Sequence, residues 1–170
     1  MIFDGIVIGG GAAGMFAAVQ AARKGSRVLL LERNDRLGKK LLITGKGRCN
    51  VTNHCSAEEV LRNIPRNGRF LFSALDQCDP SGVMAFFEEL GCPLKTERGN
   101  RVFPVSDRSQ SILDALKKAL RLSGVTVRTG RAVKILSRDG VVTGVQTALQ
   151  HSGLENCLNC IVHGVSKSWT

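Results

Sequence analysis

Gly9-Gly10-Gly11-Ala12-Ala13-Gly14 is the feature that most limits what this chain can fold into. It reads G-x-G-x-x-G and separates an apolar run over residues 2–8 from an Ala-rich stretch over 12–24, where Met15, Val19 and Ala22 share one side. Such a turn joins a buried strand to a helix. Gly9 permits the tight turn, Gly11 lets backbone approach a pyrophosphate with no Cβ in the way, and Gly14 lets the helix pack close to the sheet. The helix start then offers free N–H groups and the positive end of its dipole to phosphates. Gly25 ends the helix, and Val28-Leu29-Leu30-Leu31 follows as a continuous apolar run, the mark of a parallel strand covered on both faces. Glu32 closes that strand. A carboxylate there accepts hydrogen bonds from a ribose diol and repels a 2′-phosphate, so the pattern points to an ADP-bearing dinucleotide.

Charge fits an anionic ligand. The 170-residue chain carries 24 Lys and Arg against 14 Asp and Glu, a net +10. With Trp169 alone and no Tyr, platforms for stacking bases are scarce; the cations are spread, and no nucleic-acid recognition motif is visible. The expectation is therefore a dinucleotide partner, with no nucleic acid and no membrane. No apolar run reaches the ~20 residues that span a bilayer, and the first residues lack a basic leader. A cytoplasmic protein with its six cysteines reduced is expected. Nothing in the sequence sets the oligomeric state.

The remaining pattern alternates between helix and strand. Ser56-Ala57-Glu58-Glu59 reads as a capping box, and Asp79-Pro80 as an N-cap followed by proline at the first helical position. Val83, Phe86, Phe87 and Leu90 form the second helix's apolar face, which Gly91 ends. Ser109 is read as the cap of a helix bearing Ile112, Leu113, Leu116 and Leu120. Residues 125–128 make a third core strand, and 132–136 with 141–145 make a hairpin across Arg138-Asp139-Gly140. Residues 33–55, rich in glycine and lysine, fit no regular element.

Inside that segment runs Leu37-Gly38-Lys39-Lys40-Leu41-Leu42-Ile43-Thr44-Gly45-Lys46-Gly47-Arg48-Cys49-Asn50-Val51-Thr52-Asn53. It closely resembles the signature G-[RK]-K-L-L-x-[ST]-G-x-G-R-C-N-x-T-N of the YhiN/BaiN-like, or aminoacetone-oxidase-like, FAD-dependent oxidoreductases. Arg101-Val102-Phe103-Pro104-Val105-Ser106-Asp107 resembles a looser second segment. The resemblance covers residues 4–146 and implies an α/β, Rossmann-like FAD/NAD(P)-binding fold with a parallel sheet and a small β-hairpin. It further implies FAD held at Gly9, Gly11, Ala13 and Gly14, with Glu32 on the adenosine ribose and Arg33 among the cofactor-binding residues. Lys39, Lys40, Gly47, Arg48, Cys49 and Asn50 would lie along the pyrophosphate and flavin side, and the backbone of Val133 would meet adenine. The activity implied is hydride transfer from NAD(P)H through FAD to an unsaturated or carbonyl substrate. No catalytic acid or base can be named.

Cys49 lies beside Arg48, which would favour a reactive thiolate, but no C-x-x-C partner accompanies it. A small residue packed into a tight turn is the better reading. Residues 147–170 differ from what precedes: only Glu155 and Lys167 are charged there. They read as an irregular tail after an incomplete domain over 1–146, C-terminally truncated relative to the family. That reading leaves an alternative in which the chain binds dinucleotide at most. His151, Cys157, Cys160 and His163 in the tail lack the spacing of a zinc finger, and no metal is expected.

Overall fold

The structure is a computed structural model that describes residues 2–148 and the backbone of 155–160. In chain order the elements are β1 (Ile2–Phe3), β2 (Gly5–Ile8), α1 (Ala12–Arg23), β3 (Val28–Glu32), α2 (Lys39–Ile43), β4 (Thr52–Asn53), α3 (Ala57–Arg62) and α4 (Phe72–Gln77). They continue with α5 (Pro80–Glu89), β5 (Leu94–Glu97), β6 (Arg101–Pro104), α6 (Ser109–Leu122), β7 (Thr126–Thr129), β8 (Arg131–Arg138), β9 (Val141–Ala148) and β10 (Glu155–Cys160). Two compact units divide them: residues 1–39 with 117–170, and residues 40–116.

The first unit contains the parallel sheet, in the order β2-β3-β7. β3 is central and every one of its residues is buried, as its uninterrupted apolar run requires. α1 packs on β2 and β3 and buries Met15, Ala18 and Val19. Gly25, with φ +90°, takes the left-handed position after the helix. A second sheet, in the order β1-β10-β9-β8, adds its core to this one. Leu29 and Leu31, two apart on β3 and so on one face, form a buried cluster with Phe3 and Val145.

The apolar run over 2–8 is therefore two strands in two sheets, where its hydropathy suggested one. Asp4 makes the break. Its carboxylate accepts from the Arg27 amide at 2.8 Å and from the guanidinium at 2.8 and 3.1 Å, while its own N–H donates to the Arg27 carbonyl at 2.9 Å. This two-way clamp turns the chain from β1, paired with β10, to β2, paired with β3. Among the described residues β2 has a strand on one side only.

The hairpin is longer than its apolar core suggested, because Arg138 pairs with Val141 right up to the turn. Asp139 and Gly140 have φ of 52° and 76°, the two positive values of a type I′ turn. Of the expected tail, residues 149–154 and 161–170 lie outside the described residues, and Glu155–Cys160 pairs antiparallel with β9.

In the second unit β4, β6 and β5 form an antiparallel sheet. Ser56 accepts from the Glu59 amide at 3.2 Å, and Asp79 from the Gly82 amide at 2.7 Å, as caps. Ser109 is not a cap. It is the first helical residue of α6, and its hydroxyl donates to the Leu42 carbonyl at 3.1 Å. Residues 33–55 are also more regular than their composition suggested, since they contain α2 and β4, with an irregular turn over Thr44–Gly47 between them.

Two substitutions test this layout by urea unfolding. Leu30→Ala should cost about 3 kcal/mol, because a fully buried leucine leaves a cavity at the centre of the parallel sheet. Asp79→Ala should cost about 1 kcal/mol through the lost cap.

Candidate functional site

β2 reaches the glycine turn with its ladder intact: the Gly9 amide donates to the Leu31 carbonyl at 2.8 Å. Gly9 then takes φ +105°, which a side chain would strain. Gly10 is the crowded residue, since a Cβ there would lie 2.3 Å from Leu37 Cδ2 and 3.1 Å from Glu32 Oε2. Gly14 meets a harder limit. Its Cβ would sit 1.9 Å from the Gly9 carbonyl oxygen, so only glycine lets α1 start this close to the end of β2.

Gly11 differs from its neighbours. It is exposed, and a Cβ built on it would touch nothing within 4 Å. It is the N-cap of α1, with no side-chain cap bond and no acidic residue in the first turn. The first helical bond runs from the Met15 amide to the Gly11 carbonyl at 2.9 Å. Ala12, Ala13 and Gly14 precede that bond, so their N–H groups lie in the unpaired first turn. Open space beside uncapped amides suits a diphosphate.

Glu32, buried at the end of β3, is held at both oxygens. Oε2 accepts from the Gly10 amide at 2.5 Å, and Oε1 accepts from the Asn34 amide at 2.8 Å and the Asn34 side chain at 2.5 Å. Burial pushes its pKa up, but the bonds from Asn34 and Gly10, with the charge of Arg33, outweigh that and hold it below the ordinary 4.5. The carboxylate is thus ionised and fixed against the glycine turn. Three donors leave about one of its four lone-pair sites for a further partner. The Glu32 carbonyl accepts from the Gly130 amide at 2.8 Å, which ties the approach to β8 to the same strand end.

Among the other expected residues of this unit, Arg33 and Ala13 are exposed. Lys39 is paired with Asp35 at 2.8 Å and lies 3.5 Å from Asn34 Oδ1. Val133 falls where the register of β8 on β9 slips between Ala132 and Lys134, so it has no partner across the ladder. That β-bulge leaves backbone polar groups out of the pairing.

The second unit holds Lys40, Gly47, Arg48, Cys49 and Asn50. Their turn is left-handed at Gly45, Lys46, Gly47 and Cys49, with φ between 54° and 83°. The Arg48 amide donates to the Gly45 carbonyl at 3.1 Å and the Cys49 amide to the Thr44 carbonyl at 3.2 Å, so the turn closes on itself. The Arg48 guanidinium lies 4.3 Å from the centre of the Phe103 ring and bonds to Glu97 and Asp107. Lys95 joins the same two carboxylates, making a balanced four-charge cluster. Arg48 therefore has protein anions as partners, whereas Lys40 and Asn50 are exposed. Cys49 is buried, and burial raises its thiol pKa despite a bond from Thr44, which agrees with a packing role.

Sequence reasoning missed Gly10, Asn34 and Leu37. The only available signal was an Asn two residues after the strand-ending acid. The expected absence of a metal concerned His151, Cys157, Cys160 and His163, whose side chains lie outside the described residues. Among the described residues no cluster of His, Cys, Asp or Glu could hold an ion.

A parallel β-α-β unit closed by this turn, with an ionised acid at the next strand end, defines a Rossmann-like dinucleotide-binding domain. The sequence matches that class over residues 3–170, and the chain belongs to the HI0933-like protein Rossmann domain family. The match includes residues 147–170, past the point where the sequence reading placed the end of the likeness.

A 3-dehydro-bile acid delta(4,6)-reductase of Clostridium scindens is 37% identical over 132 residues, 76% of this chain and 32% of that protein. A ribosomal RNA dihydrouridine synthase of Escherichia coli is 33% identical over 137 residues, 81% of this chain and 34% of that protein. The chain thus spans about a third of the length of these curated relatives. Among solved structures, a 3-ketosteroid-delta4-(5alpha)-dehydrogenase from Rhodococcus jostii superimposes with a TM-score of 0.70 at 16% identity, covering 94% of this chain and 44% of that one.

The Glu32 bonds predict a pH dependence. A carboxyl held below 4.5 when folded adds stability above that pH, and the gain is lost as pH falls through the folded value. In urea titrations Glu32→Gln should be less stable than wild type at neutral pH, with the difference closing below about pH 4.5. A constant difference from pH 7 to pH 3 would contradict the assignment.

Proposed function

We propose that this chain holds the adenosine diphosphate half of FAD at the glycine turn and serves as the FAD-binding part of a flavin-dependent oxidoreductase. The reaction proposed is hydride transfer from NAD(P)H through FAD to an unsaturated or carbonyl substrate. The observation that carries the reading is the open, uncapped start of α1 at Gly11, next to an ionised Glu32 fixed in place. The amides of Ala12, Ala13 and Gly14 would take the diphosphate, and the remaining acceptor of Glu32 a ribose hydroxyl. Val133, out of register on β8, would offer backbone to adenine.

Bound FAD supplies hydride-accepting and hydride-donating chemistry at its flavin ring. This chain's residues bind and orient. Lys40, Gly47 and Asn50 are assigned to the cofactor by the family resemblance, and Lys40 and Asn50 are also exposed. Arg48 is assigned with them as a positioning group, because its charge is already matched by Glu97 and Asp107. Cys49 packs beneath that turn. The names of two relatives, a delta(4,6)-reductase acting on a 3-dehydro compound and a dihydrouridine synthase, support reduction of a carbon–carbon double bond. A cytoplasmic setting accompanies the reading.

The test is an absorbance and melting titration of the purified chain with FAD. At a hundredfold excess over Kd, binding should add about 2.7 kcal/mol of stability. Gly11→Asp should abolish the shift, since its carboxylate would enter the space assigned to phosphate. A wild-type chain with no flavin absorbance and no shift would remove the proposal. The second reading, dinucleotide binding without turnover, predicts bound flavin that NADPH does not bleach; repeated turnover would exclude it.

A further inference from the structure

One surface of the second unit is unexplained by the flavin reading. Residues 62–72 run Arg62-Asn63-Ile64-Pro65-Arg66-Asn67-Gly68-Arg69-Phe70-Leu71-Phe72. Asn67 takes a left-handed conformation at φ 55°, and a 3₁₀ turn over Gly68–Leu71 leads into α4. The Phe70 and Phe72 side chains are left 83% and 64% exposed. Two rings so presented to water are costly to keep on a surface unless something covers them.

Two open clefts, of about 410 and 610 Å³, lie side by side here. Phe72 lines the first and Phe70 the second, and Ile64 and Arg69 line both. Arg62 joins the first cleft and Arg66 the second. Among the described residues neither Arg66 nor Arg69 is in an ion pair, and Glu58, a helical turn from Arg62, is the one carboxylate lining either cleft. The surface therefore repeats a unit: an aromatic face, an apolar floor and a guanidinium, with one arginine between the two.

We infer that this surface binds single-stranded nucleic acid, with two unstacked bases against Phe70 and Phe72 and the intervening phosphate at Arg69. Aromatic faces stack bases without regard to sequence, and arginines track the backbone. The sequence alone argued against nucleic acid because cations are spread along the chain as a whole, but residues 62–72 hold three of them beside two exposed rings. A lipid surface suits the geometry less well. α3 and α4 have six residues each, too short for the continuous amphipathic helix that lies in a membrane interface. The inference is independent of FAD.

The test uses the whole chain and fluorescein-labelled 12-nucleotide strands of RNA and of DNA, read by anisotropy from about 50 to 200 mM salt. Three arginine–phosphate contacts predict a log–log salt slope near −2, at about −0.7 per contact. Arg66→Ala/Arg69→Ala should bring the slope to about −0.7. Phe70→Ala/Phe72→Ala should weaken binding at least ~10-fold at every salt concentration with the slope unchanged. Duplexes of the same sequence should bind less tightly, and a preference for the RNA strand over the DNA strand would point to contact with the 2′-hydroxyl.

Photo-crosslinking of wild-type chain to 4-thiouridine RNA should label Phe70 or Phe72, a readout that needs no variant. FAD uptake, followed in parallel, should be the same in both double variants and in wild type. The inference fails if wild type binds no strand at low salt, if both variants bind as wild type does, or if crosslinks fall elsewhere. It fails equally if anionic vesicles bind in place of RNA, or if the phenylalanine variant splits a wild-type dimer, which would make a second copy the occupant.

Discussion

The bond from the Gly10 amide to the Glu32 carboxylate is the contact on which the nucleotide end of the first unit depends. It joins the glycine turn to the end of the neighbouring strand, and Asn34 completes the grip from the other side. Gly10 must lack a side chain for this to form, because Leu37 and Glu32 occupy the space a Cβ would need. Once the turn is fixed, Gly14 can approach the Gly9 carbonyl and α1 starts with its amides exposed at Gly11. A charged group buried without partners would be destabilising; here the bonds keep it ionised and also set the shape of the loop.

Much of this was legible from local rules. β3 follows from four consecutive apolar residues, the caps at Ser56 and Asp79 from side chains that accept backbone N–H groups, and the hairpin from Asp139-Gly140. The tight turn assigned to Gly9 and the close packing assigned to Gly14 are present as a positive φ and a close approach to the Gly9 carbonyl, and Gly11 has open space beside it. What escaped depends on partners distant in sequence. Asp4 breaks an apolar run because Arg27, 23 residues on, holds it. Ser109 looks like a cap, yet its hydroxyl goes to Leu42, 67 residues away. Arg48 read as a spare cation because nothing local showed that Glu97 and Asp107 would reach it. Composition was the weaker guide throughout: a glycine- and lysine-rich stretch turned out to contain a helix, a turn and a strand.

The turn at Gly45 to Cys49 shows how a segment can be tightly specified without being regular. Left-handed backbone at Lys46 and Cys49 is unfavourable for residues with a Cβ and is held by the bonds that close the turn, with Cys49 buried beneath it. The neighbouring charge cluster adds little by itself at a partly exposed surface, where such pairs are worth about 0–1 kcal/mol each. Its effect is geometric: it fixes Arg48 over the Phe103 ring and so orients the outer side of the turn.

The division of the first residues between two sheets has a mechanical consequence. A pull on the amino terminus would first peel the two-residue β1 from β10, and then load the four-bond clasp between Asp4 and Arg27. Tension would have to tear that clasp before reaching β2 or the glycines beyond it. Attachments at the leading end of the chain are in this way insulated from the loop that would grip the cofactor.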